Sequence, residues 1–128
     1  MKISVSSRSR VDLIDVTGEV EKNLKIKEGI VVVYTPHTTC GLFINEYDSG
    51  LKKDIVKLLE KLVPQGAGWA HDPEEGNADS HMRSILLGHS VVVPVDNGKL
   101  QLGTWQSIFF AELFGPRTRE VIIKEIKG

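Results

Sequence analysis

Imidazole is the side chain whose ordinary pKa lets it change charge near neutral pH, and the sequence carries four: His37, His71, His81 and His89. His37, His71 and His81 lie beside turn-type or polar residues and outside apolar runs. That is the setting of ligand or acid/base histidines, and equally of histidines that only bond a loop backbone. His71 opens the acidic run Asp72-Pro73-Glu74-Glu75. His81 follows Asp79-Ser80 at the start of a short helix, four residues before Ile85, a spacing that turns its imidazole toward the inward face. Neutral imidazoles and carboxylates suit zinc and neighbouring divalent ions, but the spacing matches no HExxH and offers no Cys/His pair. His89, in the turn after Gly88, needs no special role.

A second group is basic. Arg117 and Arg119 stand two apart where the last strand begins, so in a regular strand both point to one face. There they would hold a phosphate or carboxylate together, or simply meet water as surface arginines. Arg83 adds a third positive charge near His81 or faces solvent. The string Leu102-Gly103-Thr104-Trp105-Gln106 sets a flat indole beside an amide able to bond a planar ring, with a core Trp as the competing reading. Asn45-Glu46 closes a strand. Glu112 follows Ile108, Phe109 and Phe110, where a carboxylate must reach solvent or meet an arginine such as Arg117. The single cysteine, Cys40, closes no intramolecular disulfide and reads as a small buried strand residue. Phosphate loops of the GxxxxGK[ST] type are absent.

These residues need elements to position them. Lys2 to Ser7 alternates as a half-buried strand, Val11 to Val16 forms a second, and Thr17-Gly18-Glu19 starts a short helix with Val20 and Leu24 on one face. Gly29–Tyr34 is continuous and β-branched, which predicts a strand buried on both faces, and Thr39 to Asn45 is its successor. Asp48-Ser49 caps a helix carrying Leu51, Ile55, Leu58, Leu59 and Leu62 until Pro64. The stretch from Pro64 to about Asn77 has no period and reads as a lid or a disordered loop. A short helix follows with Ala78, Met82, Ile85 and Leu86 on one face, stopped at Gly88. Ser90 to Val95 and Lys99 to Gly103 flank the hairpin signal Asn97-Gly98, with Pro94 at an edge or bulge. Thr104 to Leu113 and Thr118 to Ile126 complete a meander across Gly115-Pro116. The class is α+β: largely antiparallel β-sheets with two or three short helices in one compact domain over residues 1–128.

Composition narrows the function classes. A formal net charge of −1 at pH 7 argues against a nucleic-acid-binding surface. No segment approaches the roughly 18 apolar residues of a membrane span, and the charged start MKISVSSRSRVDLID is unlike a signal peptide. A cytoplasmic protein without nucleic-acid or membrane partners is the expectation.

Taken in order, several strings resemble one family. They are His37-Thr38-Thr39, Ile44-Asn45-Glu46, His71 with Glu75-Gly76-Asn77-Ala78-Asp79-Ser80-His81, Leu87-Gly88, Asn97-Gly98, Leu102-Gly103-Thr104-Trp105-Gln106, and Gly115-Pro116-Arg117 with Arg119. Together they resemble the YjbQ family, described as secondary thiamine-phosphate synthase enzymes. The resemblance spans nearly the whole chain. It implies packed β-sheets with flanking helices, a homotrimer with polar clusters near subunit boundaries, and a transferase joining a pyrimidine diphosphate to a thiazole phosphate. On that reading His37, His71 and His81 are acid/base groups or ligands of a divalent metal (zinc, magnesium or manganese). Glu46 and Asp79 support them, and Arg117 and Arg119 neutralise diphosphate. Asn45, Thr104, Trp105 and Gln106 receive the ring, and Glu112 orients an arginine. The same residues would serve a metal-dependent phosphoester hydrolase, or a trimeric binding module for a phosphorylated metabolite.

Overall fold

The β-branched run Gly29–Tyr34 does form a strand, but it alternates. Val31 and Val33 are fully buried, while Ile30 and Tyr34 face outward, so only one face is covered. The computed structural model describes all residues 1–128. In chain order it contains β1 (Lys2–Ser6), β2 (Asp12–Asp15), α1 (Thr17–Lys22), β3 (Gly29–Tyr34), β4 (Cys40–Glu46), α2 (Ser49–Leu62), α3 (Asp72–Glu75), α4 (Ala78–Leu87), β5 (Ser90–Asp96), β6 (Lys99–Leu100), β7 (Gln106–Glu112) and β8 (Thr118–Lys127).

Two antiparallel sheets result, one ordered β1-β8-β3-β5-β6 and the other β2-β7-β4. The expected C-terminal meander is therefore replaced by a crossing: β7 pairs with β2 and β4, whereas β8 pairs with β1 and β3. The chain changes sheets across Leu113–Arg117, through the cis Gly115-Pro116 bond. Tertiary pairing decides this, because local strand propensity is indifferent to which sheet a strand joins.

The main core lies between the sheets, where Val31, Val33, Val93, Val121 and Ile123 meet Leu42, Ile108 and Phe110. Each such side chain contributes about 1.5–3 kcal/mol by leaving water. On its other face the three-stranded sheet packs Leu13, Phe109, Ala111 and Leu113 against Leu59 of α2. Strand β7 is thus covered on both sides, which accounts for its unbroken apolar run. Of the caps and turns read from sequence, the Asp48 cap and the Asn97-Gly98 turn hold, whereas α1 starts after Val16 and α4 after Asn77 with no side-chain cap on either. Asp48 accepts the Leu51 N–H at 2.8 Å, and the Asn97-Gly98 turn takes φ of 53° and 71°. The segment after Pro64 is partly ordered as α3, a single turn with Pro73 in its first positions.

The largest departure is α4. Of its expected inward stripe of Ala78, Met82, Ile85 and Leu86, Ala78 is buried and Met82 half-buried, but Ile85 and Leu86 face out, with Ile85 72% exposed, while Asp79, Ser80, Arg83 and Ser84 are buried. The helix binds inward by hydrogen bonds. Ser80 Oγ donates to the Leu113 carbonyl at 2.6 Å, and Ser84 Oγ donates to the Cys40 carbonyl. Arg83 Nε and Nη2 donate to the Val63 carbonyl at 3.0 and 2.8 Å. Asp79 takes both prongs of Arg10, at 2.9 and 3.0 Å, and lies 3.3 Å from Arg83. Gly41 permits this seating, since a Cβ there would stand 2.8 Å from Leu87 Cβ.

Asp79→Ala leaves Arg83, 2% exposed, as an uncompensated buried charge. Urea unfolding should show a loss of about 3–5 kcal/mol; a loss below about 1 kcal/mol would show that the pairing does not anchor α4.

Candidate functional site

Three neighbourhoods divide the residues singled out by sequence. In the first, His71 immediately precedes α3 and His81 lies in the first half of α4, and their rings meet edge to face with centroids 4.9 Å apart. A pocket of about 320 Å³ opens beside them, walled by Trp69, Ala70, Ala78 and Met82. Its rim is fixed from two sides. Trp69 Nε1 donates to the Pro64 carbonyl at 2.8 Å, and Asp72 Oδ1 accepts the Ala78 N–H at 3.1 Å, tying α3 to α4. The aperiodic segment thus places His71 over His81. Asn77, at the N-terminus of α4, keeps its Oδ1 buried without a hydrogen-bond partner. Its side chain is the only one with such an atom, and spacing gave no sign of it.

The second neighbourhood surrounds Glu112, which is fully buried. Its Oε1 accepts Ser7 Oγ and Arg119 Nε, both at 2.9 Å, and its Oε2 accepts Arg119 Nη2 at 2.7 Å and the Phe114 N–H at 3.1 Å. The carboxylate therefore meets Arg119 and not Arg117. Burial pushes its pKa up, but the bonds from Arg119, Phe114 and Ser7 prevail and hold it below the usual glutamate range. Arg119 Nη2 also donates to Thr39 Oγ1 at 2.9 Å, steadying the turn that carries His37. Arg117 precedes the strand and is exposed; its Nε donates to the Phe114 carbonyl at 3.1 Å and its guanidinium lies 4.9 Å from the Phe114 ring centroid. The two arginines consequently diverge, since one is drawn inward to a buried carboxylate and the other stays outside on an aromatic face. Arg83, expected as a free charge or a solvated one, is instead spent on Asp79 and Val63.

Asp79 is governed by the same balance. Burial raises its pKa, and the Arg10 hydrogen bonds with the charges of Arg10 and Arg83 lower it further than burial raises it. Arg10 and Ser7, the partners that complete the two buried networks, were missed by the sequence reading. Their signal, the Ser7-Arg8-Ser9-Arg10 string between two strands, does not distinguish a buried partner from a solvated turn.

The third neighbourhood lies at the far end of β4 and β7, where Glu46 pairs with Gln106 and Asn45 with Ser107. Asn45 Oδ1 accepts the Glu46 N–H at 2.7 Å, and Gln106 Oε1 accepts the Gly103 N–H at 2.8 Å, closing a turn that displays Trp105. Trp105 is 72% exposed, which overturns the core reading of this residue, and Thr104 is exposed beside it. Cys40 pairs with Glu112 at the opposite end of the same ladder. At a rise of about 3.4 Å per residue, roughly 20 Å separates this neighbourhood from Glu112 within one chain. His89 stands apart from all three; its Nε2 lies 3.1 Å from Ser84 Oγ, a tie between α4 and β5.

A small α+β domain of two packed antiparallel sheets, with a paired-imidazole pocket under one helix, is the class that fold and site define. Comparison places it more narrowly: the family described as "UPF0047 protein YjbQ-like" matches residues 1–128, and the chain belongs to that family. A UPF0047 protein of Archaeoglobus fulgidus is 52% identical over 126 residues, covering 98% of this chain and 100% of that one. YugU of Bacillus subtilis, also a UPF0047 protein, is 42% identical, covering 95% of each. Among solved structures, a hypothetical protein from Aeropyrum pernix superposes with a TM-score of 0.96 at 38% identity, covering 100% of this chain and 98% of that one. A YjbQ/UPF0047-family protein from Clostridium acetobutylicum gives 0.93 at 38% identity, covering 98% of this chain and 99% of that one.

Two outcomes follow from the buried groups. The unfolded chain's Glu112 titrates near its ordinary value of 4.5, and the folded chain's titrates lower. Unfolded molecules therefore take up the proton first as pH falls. The stability Glu112 contributes is complete above that value and drains away as pH drops toward the folded pKa. Chemical denaturation between pH 7 and pH 3 should show this loss, and Glu112→Gln should show a flatter profile from a lower start. Burial, together with the neighbouring Glu112 carboxylate, pushes the Cys40 thiol up to about 12. Iodoacetamide at pH 8 should therefore leave native Cys40 unmodified and label it on unfolding, as mass spectrometry would register.

Proposed function

We propose that this chain is a transferase of the thiamine-phosphate-synthase type, and that the His71–His81 pocket receives the heteroaromatic ring of its substrate. In that reaction the thiazole nitrogen bonds to the pyrimidine methylene carbon as the carbon–oxygen bond to diphosphate breaks, and pyrophosphate leaves. One observation carries the reading: two imidazoles 4.9 Å apart open onto a largely apolar pocket of about 320 Å³. That volume lies at the lower end of small-molecule sites, and the imidazoles are its only titratable lining groups. His71 and His81 then bond the ring edge or move a proton there. Arg117, an exposed guanidinium on Phe114, is the cation this reading assigns to the departing negative charge.

A divalent ion fits one chain poorly. No group of three or more His, Cys, Asp and Glu side chains converges, whereas protein zinc sites use three or four ligands. Zinc, magnesium or manganese would need further donors from substrate oxygens or a second copy, so each step is assigned to the chain's own side chains. Asn45, Glu46, Thr104, Trp105 and Gln106 gather at the end of β4 and β7 remote from Cys40 and Leu113, whose carbonyls seat α4, so this reading draws them from a second chain. They take part if a neighbouring copy supplies them, and a homotrimer working in the cytoplasm is the assembly we propose.

Turnover of the pyrimidine diphosphate and thiazole phosphate to thiamine phosphate should fall by about 10²–10⁴ in His71→Ala and in His81→Ala, with circular dichroism unchanged. Undiminished product in both variants refutes the assignment. Phosphate release from simple esters without coupled product assigns the pocket to a hydrolase.

A further inference from the structure

We infer that His37 is fixed as the neutral tautomer protonated on Nδ1, that it presents this proton to an oxygen of a bound ligand, and that it is excluded from metal ligation. The backbone N–H of Glu120 donates to His37 Nε2 at 3.0 Å. An amide nitrogen has one proton to give and no lone pair available to accept with, so Nε2 must keep its own lone pair and remain unprotonated. A neutral imidazole then carries its proton on Nδ1. Coordination through Nε2 would sever the Glu120 bond. Coordination through Nδ1 would move the proton to Nε2 and bring it against the Glu120 N–H, two donors facing each other. Either route costs a hydrogen bond and leaves a group unpaired.

The surrounding residues hold this arrangement. Glu120 belongs to β8, whose Arg119 is locked by Glu112, and the same guanidinium grips Thr39 two residues after His37. Ring and backbone are therefore pinned to one strand from two points. Burial and the Arg119 charge favour the neutral ring, and they outweigh the Glu112 and Glu120 carboxylates, which favour the cation. Nδ1 has no acceptor within the protein and is not among the buried unpaired atoms, so its proton is directed to an accessible position. A phosphoryl oxygen is the acceptor that completes it; a neutral donor of this kind polarises such an oxygen without surrendering its proton. The tautomer and the exclusion of metal stand independently of the transferase reading, whereas the choice of a phosphoryl oxygen rests on it.

Long-range proton–nitrogen spectra of ¹⁵N-histidine-labelled protein at pH 7 test each part, with His37 assigned by its absence in His37→Gln. The expected pattern is a protonated Nδ1 and an unprotonated Nε2, kept in Glu120→Ala because the donor is backbone. Added zinc should leave both nitrogens in place, and inorganic phosphate should shift the Nδ1 proton saturably. An Nε2-protonated ring, or zinc-dependent movement of the His37 nitrogens, overturns the tautomer and the exclusion whatever reaction the protein catalyses. A ring of the expected tautomer that ignores phosphate overturns the ligand contact alone.

Discussion

The carboxylate of Glu112 ends a strand of the three-stranded sheet, and the guanidinium of Arg119 lies in the five-stranded one, so their paired hydrogen bonds join the two layers at one pole. Neither group tolerates the interior alone. A lone buried carboxylate would protonate, and a lone guanidinium would draw water into the core. Because they must stay together, Ser7 after β1, Thr39 before β4 and Phe114 after β7 are all drawn to the same point. The Cys40 thiol, with its sulfur 3.8 Å from the carboxylate, is held there too. The chain's change of sheet between Leu113 and Arg117 happens directly beside this pair, and the turn bearing His37 inherits its position from it.

Helix α4 follows the same rule on a second buried carboxylate. Asp79 receives Arg10 from the segment before β2 and Arg83 from its own helix, while Ser80 and Ser84 satisfy carbonyls at Leu113 and Cys40. These bonds fix the helix's rotation about its axis. With the polar side committed inward, Ile85 and Leu86 turn outward and His81 comes to the rim where His71 meets it. The pocket is thus a product of electrostatic pairing beneath it as much as of its own walls.

The family's conspicuous strings do not share one place in a single chain. The paired imidazoles, the Glu112 cluster and the Trp105 turn occupy separate regions, two of them at opposite ends of the β4–β7 ladder. Arg119, the natural candidate for an anion, is engaged by Glu112, and Arg117 remains outside on Phe114. Residues adjacent in a motif are therefore divided between holding the fold and facing a ligand.

By itself the sequence determined what depends on local chemistry. The cap at Asp48, the stop at Pro64, the left-handed turn at Asn97-Gly98, the α+β class and the presence of most strands all follow from backbone geometry and short-range periodicity. The strings around His37, His71 and Trp105 also sufficed to place the chain in its family. Tertiary structure alone decided which sheet receives β7 and β8, which face of α4 is buried, and which arginine meets Glu112. The physical reason is common to all three. Periodicity assigns inside and outside by hydrophobicity, yet a buried carboxylate bound to a distant guanidinium is indistinguishable in sequence from a solvated one. Asp79 and Arg10 are 69 residues apart and Glu112 and Ser7 are 105 apart, and only the folded chain brings them within hydrogen-bond reach.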